Sequence, residues 1–334
     1  MLLSIVIPAY NVDAYIFRCL DSCLCQSIPK DDYEIIIVND GSTDRTLDIA
    51  SKYANQYKNI RILSQENKGL SEARNTGLRE SSGKYVWFVD SDDWIERDCL
   101  NLVFQALKAD VDLLEIQYQL VFEDGKIQEG SPTLIKGIID GQTQTLAGGL
   151  PTPAQFTLYR RDFLVENQLR FMPGIYHEDC EFKPRAVLLA KRISSVSTIC
   201  YNYFQRTSGS ITSSYKIKNA TDAVIALNSV YDFVQPYDEK IKAAVYGKIS
   251  MWINSILLGM ESLGREERKK VIDLFAANRH LLKAMRESNV LKYILEGFIL
   301  SASFKGGLFL HHILKSVTLC SEKYKSNSTN HCGA

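Results

Sequence analysis

The sequence has no excess of either charge, no paired cysteine motif and no long apolar run. Its 334 residues carry 39 Lys and Arg against 39 Asp and Glu, so no overall field attracts nucleic acid or an anionic membrane. None of the eight cysteines forms a Cys-x-x-Cys pair, which argues against a zinc site and favours buried free thiols. An anionic substrate must therefore be held by a local site.

The apolar segments are too short to cross a membrane, and Pro8 ends the N-terminal apolar stretch before it reaches the length of a signal peptide. We therefore expect a folded cytoplasmic protein. The length allows two domains, or one domain with a large appendage.

The first third of the chain alternates short apolar strands with helices, which predicts a parallel sheet covered on both faces. The predicted strands are 4–7, 34–38, 59–63 and 85–89, and the predicted helices are 12–27, 44–57 and 70–81. Polar residues follow the strand ends, where ligands bind in such sheets.

The pattern is irregular from 110 to 214 and helical beyond it. The predicted elements are a strand at 113–118, a hairpin turn at 123–126, polar turns at 137–149 and 151–153, helices at 161–167 and 178–190, and a strand at 201–206. Helices are then predicted at 220–234, 239–263, 266–286 and 291–319, followed by a polar tail.

Three carboxylates, Asp90, Asp92 and Asp93, directly follow the buried strand Tyr85–Val89. Like charges this close repel one another unless a cation joins them, and Mg²⁺ or Mn²⁺ binds through one or two carboxylates plus substrate phosphates. The alternative is an acidic cap on a helix beginning near Trp94. The cluster alone does not decide between a metal site and a cap.

Five motifs in order resemble the family 2 glycosyltransferases of the GT-A fold. They are the segments 4–11 (SIVIPAYN), 38–44 (VNDGSTD), 67–75 (NKGLSEARN), 90–93 (DSDD) and 178–179 (ED). The resemblance spans roughly residues 1–215 and implies a mixed α/β sheet flanked by helices. The helical pattern beyond it predicts an all-helical C-terminal extension. The resemblance also implies inverting transfer of a sugar from a nucleotide-sugar, UDP being the expected nucleotide, to a hydroxyl of a glycan or lipid-linked acceptor.

The resemblance and the helical and polar patterns beyond it together divide the chain into four segments. Residues 1–110 are expected to be the nucleotide-sugar-binding half of the catalytic domain and 111–215 the acceptor-binding half. Residues 216–325 are the expected helical extension and 326–334 a disordered tail.

The resemblance also assigns roles to single residues. Asp92 is the expected ligand of Mn²⁺ or Mg²⁺, Asp179 the expected catalytic base and Glu178 its helper. The expected donor-binding residues are Pro8, Ala9, Tyr10, Asn11, Asp40, Asn67, Gly69, Arg74, Asp90, Ser91 and Arg206. Arg74 could equally pair with a carboxylate such as Asp40 and position it, and Ser208–Ser210 would give the segment after Arg206 its mobility.

Each of these residues also has an ordinary structural interpretation. Asp40 suits a turn, and two acids at a helix start complement the helix dipole. At the level of function, the alternatives are a nucleotidyltransferase and a non-catalytic nucleotide-sugar-binding module. The C-terminal helices either pack as a bundle or lie against a membrane surface.

Overall fold

The computed structural model describes residues 1–130, 135–149, 153–207 and 215–302. Its contacts divide the chain into two compact units, Met1–Ser214 and Tyr215–Ala334. All five motifs lie in the first unit, and the predicted division of that unit at residue 110 stays a prediction.

The described part of the first unit contains one mixed sheet of nine strands. The strands are β1 (Leu3–Ala9), β2 (Tyr33–Asn39), β3 (Ile60–Ser64), β4 (Tyr85–Phe88), β5 (Trp94–Ile95), β6 (Leu113–Phe122), β7 (Ile127–Glu129), β8 (Thr157–Arg160) and β9 (Ile193–Gln205). Their order is β3-β2-β1-β4-β8-β6-β9-β5, with β7 paired to β6. The first four strands are parallel, β8 is antiparallel to both β4 and β6, and β9 is parallel to β6.

Seven α-helices accompany this sheet in the described residues. They are α1 (Ile16–Leu24), α2 (Thr46–Gln56), α3 (Leu70–Glu80), α4 (Cys99–Leu107), α5 (Gly141–Leu146), α6 (Arg161–Glu166) and α7 (Glu178–Leu189). The described part of the second unit consists of α8 (Ile217–Val234), α9 (Glu239–Gly259), α10 (Arg265–Ala277), α11 (Arg279–Arg286) and α12 (Leu291–Ala302). None of the described helices is long and apolar enough to cross a membrane.

The alternation of side chains along β1 explains how helices cover both faces of the parallel strands. Ile5 and Ile7 join a core cluster with Leu20 of α1. Val6 points to the other face, where a Cβ added to Gly77 of α3 would lie 2.1 Å from a Val6 methyl group. The missing side chain therefore lets α3 lie directly on the sheet.

The element predictions need three corrections. The first helix begins at Ile16 rather than at Val12, because residues 12–15 form turns. The segment 137–149, predicted as turns, contains α5, whose N-cap Asp140 accepts a 2.9 Å bond from the Thr143 N–H. The predicted helix 266–286 is interrupted at Asn278 and forms α10 and α11.

Other predictions lie partly outside the described residues. These are the polar turn at 151–153, the predicted mobility of 208–210, the predicted helix beyond Ala302 and the predicted tail. Of the cysteines in the described ranges, Cys19, Cys23, Cys99 and Cys200 are buried free thiols, whereas Cys25 is exposed.

Candidate active site

The carboxylate of Asp40 lies at the start of α3. Its Oδ1 accepts bonds from the Gln65 side chain (2.7 Å) and the Lys68 N–H (2.9 Å), and its Oδ2 accepts one from the Gly69 N–H (2.8 Å). Gly69 has φ +85°, a conformation that suits glycine and aims its N–H at this carboxylate. Asp40 therefore fixes the N-terminus of α3 at the carboxyl end of β2.

Arg74, one turn along α3, is 2% exposed and joins two carboxylates. Its Nη1 lies 2.6 Å from Glu178 Oε1 and its Nη2 lies 2.7 Å from Asp90 Oδ1. Arg74 therefore pairs with carboxylates, as suggested, but with Asp90 and Glu178 rather than with Asp40, which backbone and amide N–H groups already hold. Arg74 connects the end of β4 to the start of α7.

Asp179 follows Glu178 in the first turn of α7. Burial, reinforced by the Glu178 carboxylate and opposed by Arg74, raises the pKa of Asp179 to about 7. Its Oδ1 accepts a 2.8 Å bond from the Cys180 N–H. A carboxylate that titrates near neutral pH is suited to accept a proton, whereas Glu178 is held by Arg74.

The position of α7 depends on a buried lysine further along the helix. Lys183 is buried, donates a hydrogen bond to Thr157 Oγ1 and lies 3.6 Å from the Glu115 carboxylate. Burial lowers the pKa of Lys183, and Glu115 opposes the change. Before the helix, His177 has φ +63°, an uncommon conformation for a residue with a side chain. These contacts fix the helix that carries Glu178 and Asp179.

Asp92 is held by an arginine from the end of β9. Its Oδ2 lies 2.7 Å from Arg206 Nη2. The Arg206 guanidinium also lies 5.1 Å from the centre of the Tyr15 ring. Arg18 donates a 2.9 Å bond to the Asp92 carbonyl oxygen and stacks on Trp94 at 3.8 Å. Two arginines thus contact the residue predicted to bind the cation.

Asp93 is not a helix cap, because Trp94 and Ile95 form β5 and α4 begins only at Cys99. The buried Asp93 carboxylate accepts a 2.7 Å bond from the Tyr201 hydroxyl and another of 2.7 Å from the Phe204 N–H. Burial raises the pKa of Asp93, and the charges of Asp92 and Asp90 add to the rise. Asp93 therefore joins the acidic cluster to β9.

The remaining predicted donor-binding residues surround the ends of β1 and β4. Pro8 and Ala9 end β1, the Tyr10 side chain is exposed, and Ser91 is buried after β4. Asn11 has φ +50° and accepts a 2.8 Å bond from the Thr43 N–H through its Oδ1. Asn67 is exposed in the loop before α3.

Hydrogen bonds and ion pairs join the predicted residues into three groups. They connect Asp40 to Gly69, Asp90 to Glu178 through Arg74, and Asp92 to Arg206. Sequence reasoning missed Gln65, Arg18, Tyr201 and Lys183, which hold these groups. Their partners are 25 to 111 residues away in the chain, so no local pattern identifies them.

The carboxylates fit a divalent cation that also binds substrate phosphate. The described residues contain no group of three or more His, Cys, Asp or Glu side chains that could hold a metal alone. The Asp92 side chain is 19% exposed, and Mg²⁺ or Mn²⁺ typically takes one or two carboxylates and completes its shell with water and phosphate oxygens. Asp92 would hold the ion, with Asp90 beside it.

Comparison with known proteins agrees with the resemblance seen in the sequence motifs. The family model Glycosyl transferase family 2 matches residues 4–166. The uncharacterized glycosyltransferase YibD of Escherichia coli (strain K12) is 34% identical over 212 residues, covering 60% of this chain and 61% of YibD. The poly(ribitol-phosphate) beta-glucosyltransferase of Bacillus spizizenii is 33% identical over 217 residues, covering 63% of this chain and 33% of that protein. The chain thus spans less than two thirds of either relative.

The fold also matches a solved structure. The crystal structure of S. aureus TarS 1–349 in complex with UDP-GlcNAc superposes with a TM-score of 0.70 and 25% identity, covering 85% of this chain and 81% of that one. The predicted family resemblance and GT-A fold class are therefore confirmed.

The unusual environment of Asp179 gives a testable titration. The Asp179 carboxyl should titrate near pH 7. Carbon-13 NMR of the protein with labelled aspartate measures this titration, and the Asp179 signal is assigned by its loss in Asp179→Asn. Glu178→Gln removes a neighbouring negative charge, so it should lower the pKa of Asp179 by about one unit. Titration of Asp179 near pH 4 in the parent protein would contradict the proposed environment.

Proposed function

We propose that this chain, whose residues 4–166 match the glycosyl transferase family 2 model, moves a sugar from a nucleotide-sugar to a hydroxyl of a glycan or lipid-linked acceptor, with inversion at the anomeric carbon. The nucleotide we favour is UDP. The observation that carries the proposal is the buried Arg74, which joins Asp90 at the donor side to Glu178 beside Asp179.

The groups at the carboxyl ends of the parallel strands are suited to bind the donor. Carboxylates and loop N–H groups held at the edge of a parallel sheet can recognise a nucleotide through hydrogen bonds. Asp40 is our candidate contact of the base, with Tyr10 beside it, and Arg206 and the start of α3 are candidate contacts of the phosphates. The TarS structure holding UDP-GlcNAc supports a UDP-sugar as the donor class.

In the proposed transfer step, Asp179 accepts the proton of the acceptor hydroxyl. The acceptor hydroxyl oxygen attacks the anomeric carbon while the bond from that carbon to the diphosphate oxygen breaks, and the diphosphate leaves with the electron pair. Asp179 removes the hydroxyl proton on the side opposite the leaving group. Glu178, paired with Arg74, orients the first turn of α7 rather than accepting the proton.

The charge that develops on the leaving diphosphate needs a cation. Mn²⁺ or Mg²⁺ held by Asp92 would supply this stabilisation, which is worth several kcal/mol in general. Arg206 and the N-terminus of α3 would contribute further positive potential.

The name of one relative supports the proposed class of acceptor. The Bacillus spizizenii protein is named as a glucosyltransferase acting on poly(ribitol-phosphate), which supports a role of this chain in the synthesis of a cell-surface polymer. The buried free thiols support a reducing, cytoplasmic location.

The assignment of the base is tested by Asp179→Asn. The variant should bind the donor with unchanged affinity, measured by calorimetry over a panel of nucleotide-sugars with Mn²⁺ present. It should transfer sugar at least about 100-fold more slowly, because general base catalysis contributes on that order. Transfer at the parent rate would show that Asp179 is not the base. Asp162→Asn is the matched control, since Asp162 is an exposed aspartate near the start of the short helix α6.

We further propose that α12 contacts the membrane that carries a lipid-linked acceptor. Leu291, Leu295 and Phe298 are each more than half exposed and recur at helical spacing, as in helices that lie at a membrane surface. The full chain should therefore float with vesicles containing anionic lipid, and Leu295→Glu should reduce the floating fraction several-fold. Absence of co-flotation would contradict the membrane contact and leave the transferase proposal intact.

A further inference from the structure

Arg206 contacts the carboxylate oxygen that a cation at Asp92 would need. Its Nη2 lies 2.7 Å from Asp92 Oδ2, and both side chains are largely buried, at 16% and 19% exposure. A buried carboxylate is costly unless it is paired, so the guanidinium acts as its counter-ion.

The backbone before Arg206 is held in place. The Phe204 N–H and the Tyr201 hydroxyl both donate to Asp93, next to Asp92 in the chain. The Phe204 ring also lies 4.3 Å from the Arg18 guanidinium. Because β9 is fixed two residues before Arg206, a change of partner at Asp92 requires movement of the Arg206 side chain rather than of the strand.

The Arg206 guanidinium has unused hydrogen-bonding capacity. Its Nε is buried and has no hydrogen-bond partner among the described residues. Guanidinium groups bind phosphate through two parallel N–H bonds, so an arriving diphosphate offers a better set of acceptors than one carboxylate oxygen.

We propose that Arg206 and the divalent cation alternate at Asp92. Without nucleotide, Arg206 neutralises Asp92 and competes with the cation for it. When a nucleoside diphosphate group is present, Arg206 pairs with its phosphate oxygens and Asp92 becomes available to the cation. The inference rests on the proposed function. It states that Arg206 determines the order of binding, with the donor diphosphate binding before the cation.

This exchange predicts how cation binding depends on Arg206. Mn²⁺ alone should bind the Arg206→Gln variant about tenfold more tightly than the parent, within the range of coupling between linked sites. UDP should strengthen Mn²⁺ binding to the parent by a larger factor than to the variant, because only the parent has to release Arg206. Isothermal titration calorimetry with Mn²⁺, with and without UDP, measures both factors on the full chain.

Three further variants make the test specific. Arg206→Lys keeps the positive charge and should bind Mn²⁺ like the parent. Arg97→Gln removes an exposed arginine that pairs with Asp98 at 3.7 Å, so it controls for the loss of one charge and should also bind like the parent. Asp92→Ala in the Arg206→Gln background should abolish the gain in affinity. Matching melting temperatures establish that the variants are folded.

Equal Mn²⁺ affinity of the parent and Arg206→Gln without nucleotide would overturn the exchange, as would undetectable Mn²⁺ binding by both. Sugar transfer by the parent is measured separately with the same panel of nucleotide-sugars. A parent that transfers sugar while the two Mn²⁺ affinities are equal refutes the exchange alone. A parent without transfer refutes the proposed function.

Discussion

The buried guanidinium of Arg74 is the interaction on which the arrangement of the site depends. Removing a charged group from water costs several kcal/mol, so a buried arginine is stable only when its partners are well placed. Arg74 has two such partners, Asp90 at 2.7 Å and Glu178 at 2.6 Å. Each carboxylate would repel the other without it. The ion pairs therefore fix the end of β4 and the start of α7 relative to one another.

Helix α3 carries this arginine, and three features hold the helix in place. Asp40 accepts the N–H groups that begin it, and Gly77 allows it to lie against Val6 of β1. The Asn75 side chain exchanges two hydrogen bonds with the backbone of Phe171, at 2.8 and 3.0 Å. Phe171 lies on the segment that leads to α7. The helix thus connects the strand ends of the predicted donor half to the residues proposed for proton transfer.

The local pattern predicts much of the donor half because its signals are close together in sequence. Short apolar strands followed by polar residues predict β1 to β4 and the edge of the sheet where Asp40 and Asp90 lie. The same reasoning does not identify the carboxylates that Arg74 contacts, since Glu178 is 104 residues away. It also failed for Asp93, because an acid before a short strand looks like a helix cap until β9 pairs with that strand. Long-range pairing has no local signature, so these roles required the fold.

Residues 111–215, the predicted acceptor half, are the part of the sheet-containing unit that local sequence patterns predict least. Helix α5 was expected to be a series of turns, since its sequence is polar and rich in glycine. It forms because Asp140 caps it and because Gly141 packs closely against the carbonyl oxygen of Val187 in α7. The anchoring of α7 by Lys183 and Glu115 was not predicted, because a buried lysine is unusual and its partners come from other elements.

Arg74 serves both the donor side of the site, through Asp90, and the side of the proposed base, through Glu178. The most direct measurement compares donor affinity and the single-turnover rate of sugar transfer for the parent, Arg74→Gln and the exposed control Arg79→Gln. In Arg74→Gln we expect donor affinity to fall about tenfold and the transfer rate at saturating donor about 100-fold, because breaking a buried ion pair costs several kcal/mol. Arg79→Gln should match the parent in both. A folded Arg74→Gln variant that loses donor affinity but keeps the parent transfer rate at saturating donor would contradict the claim.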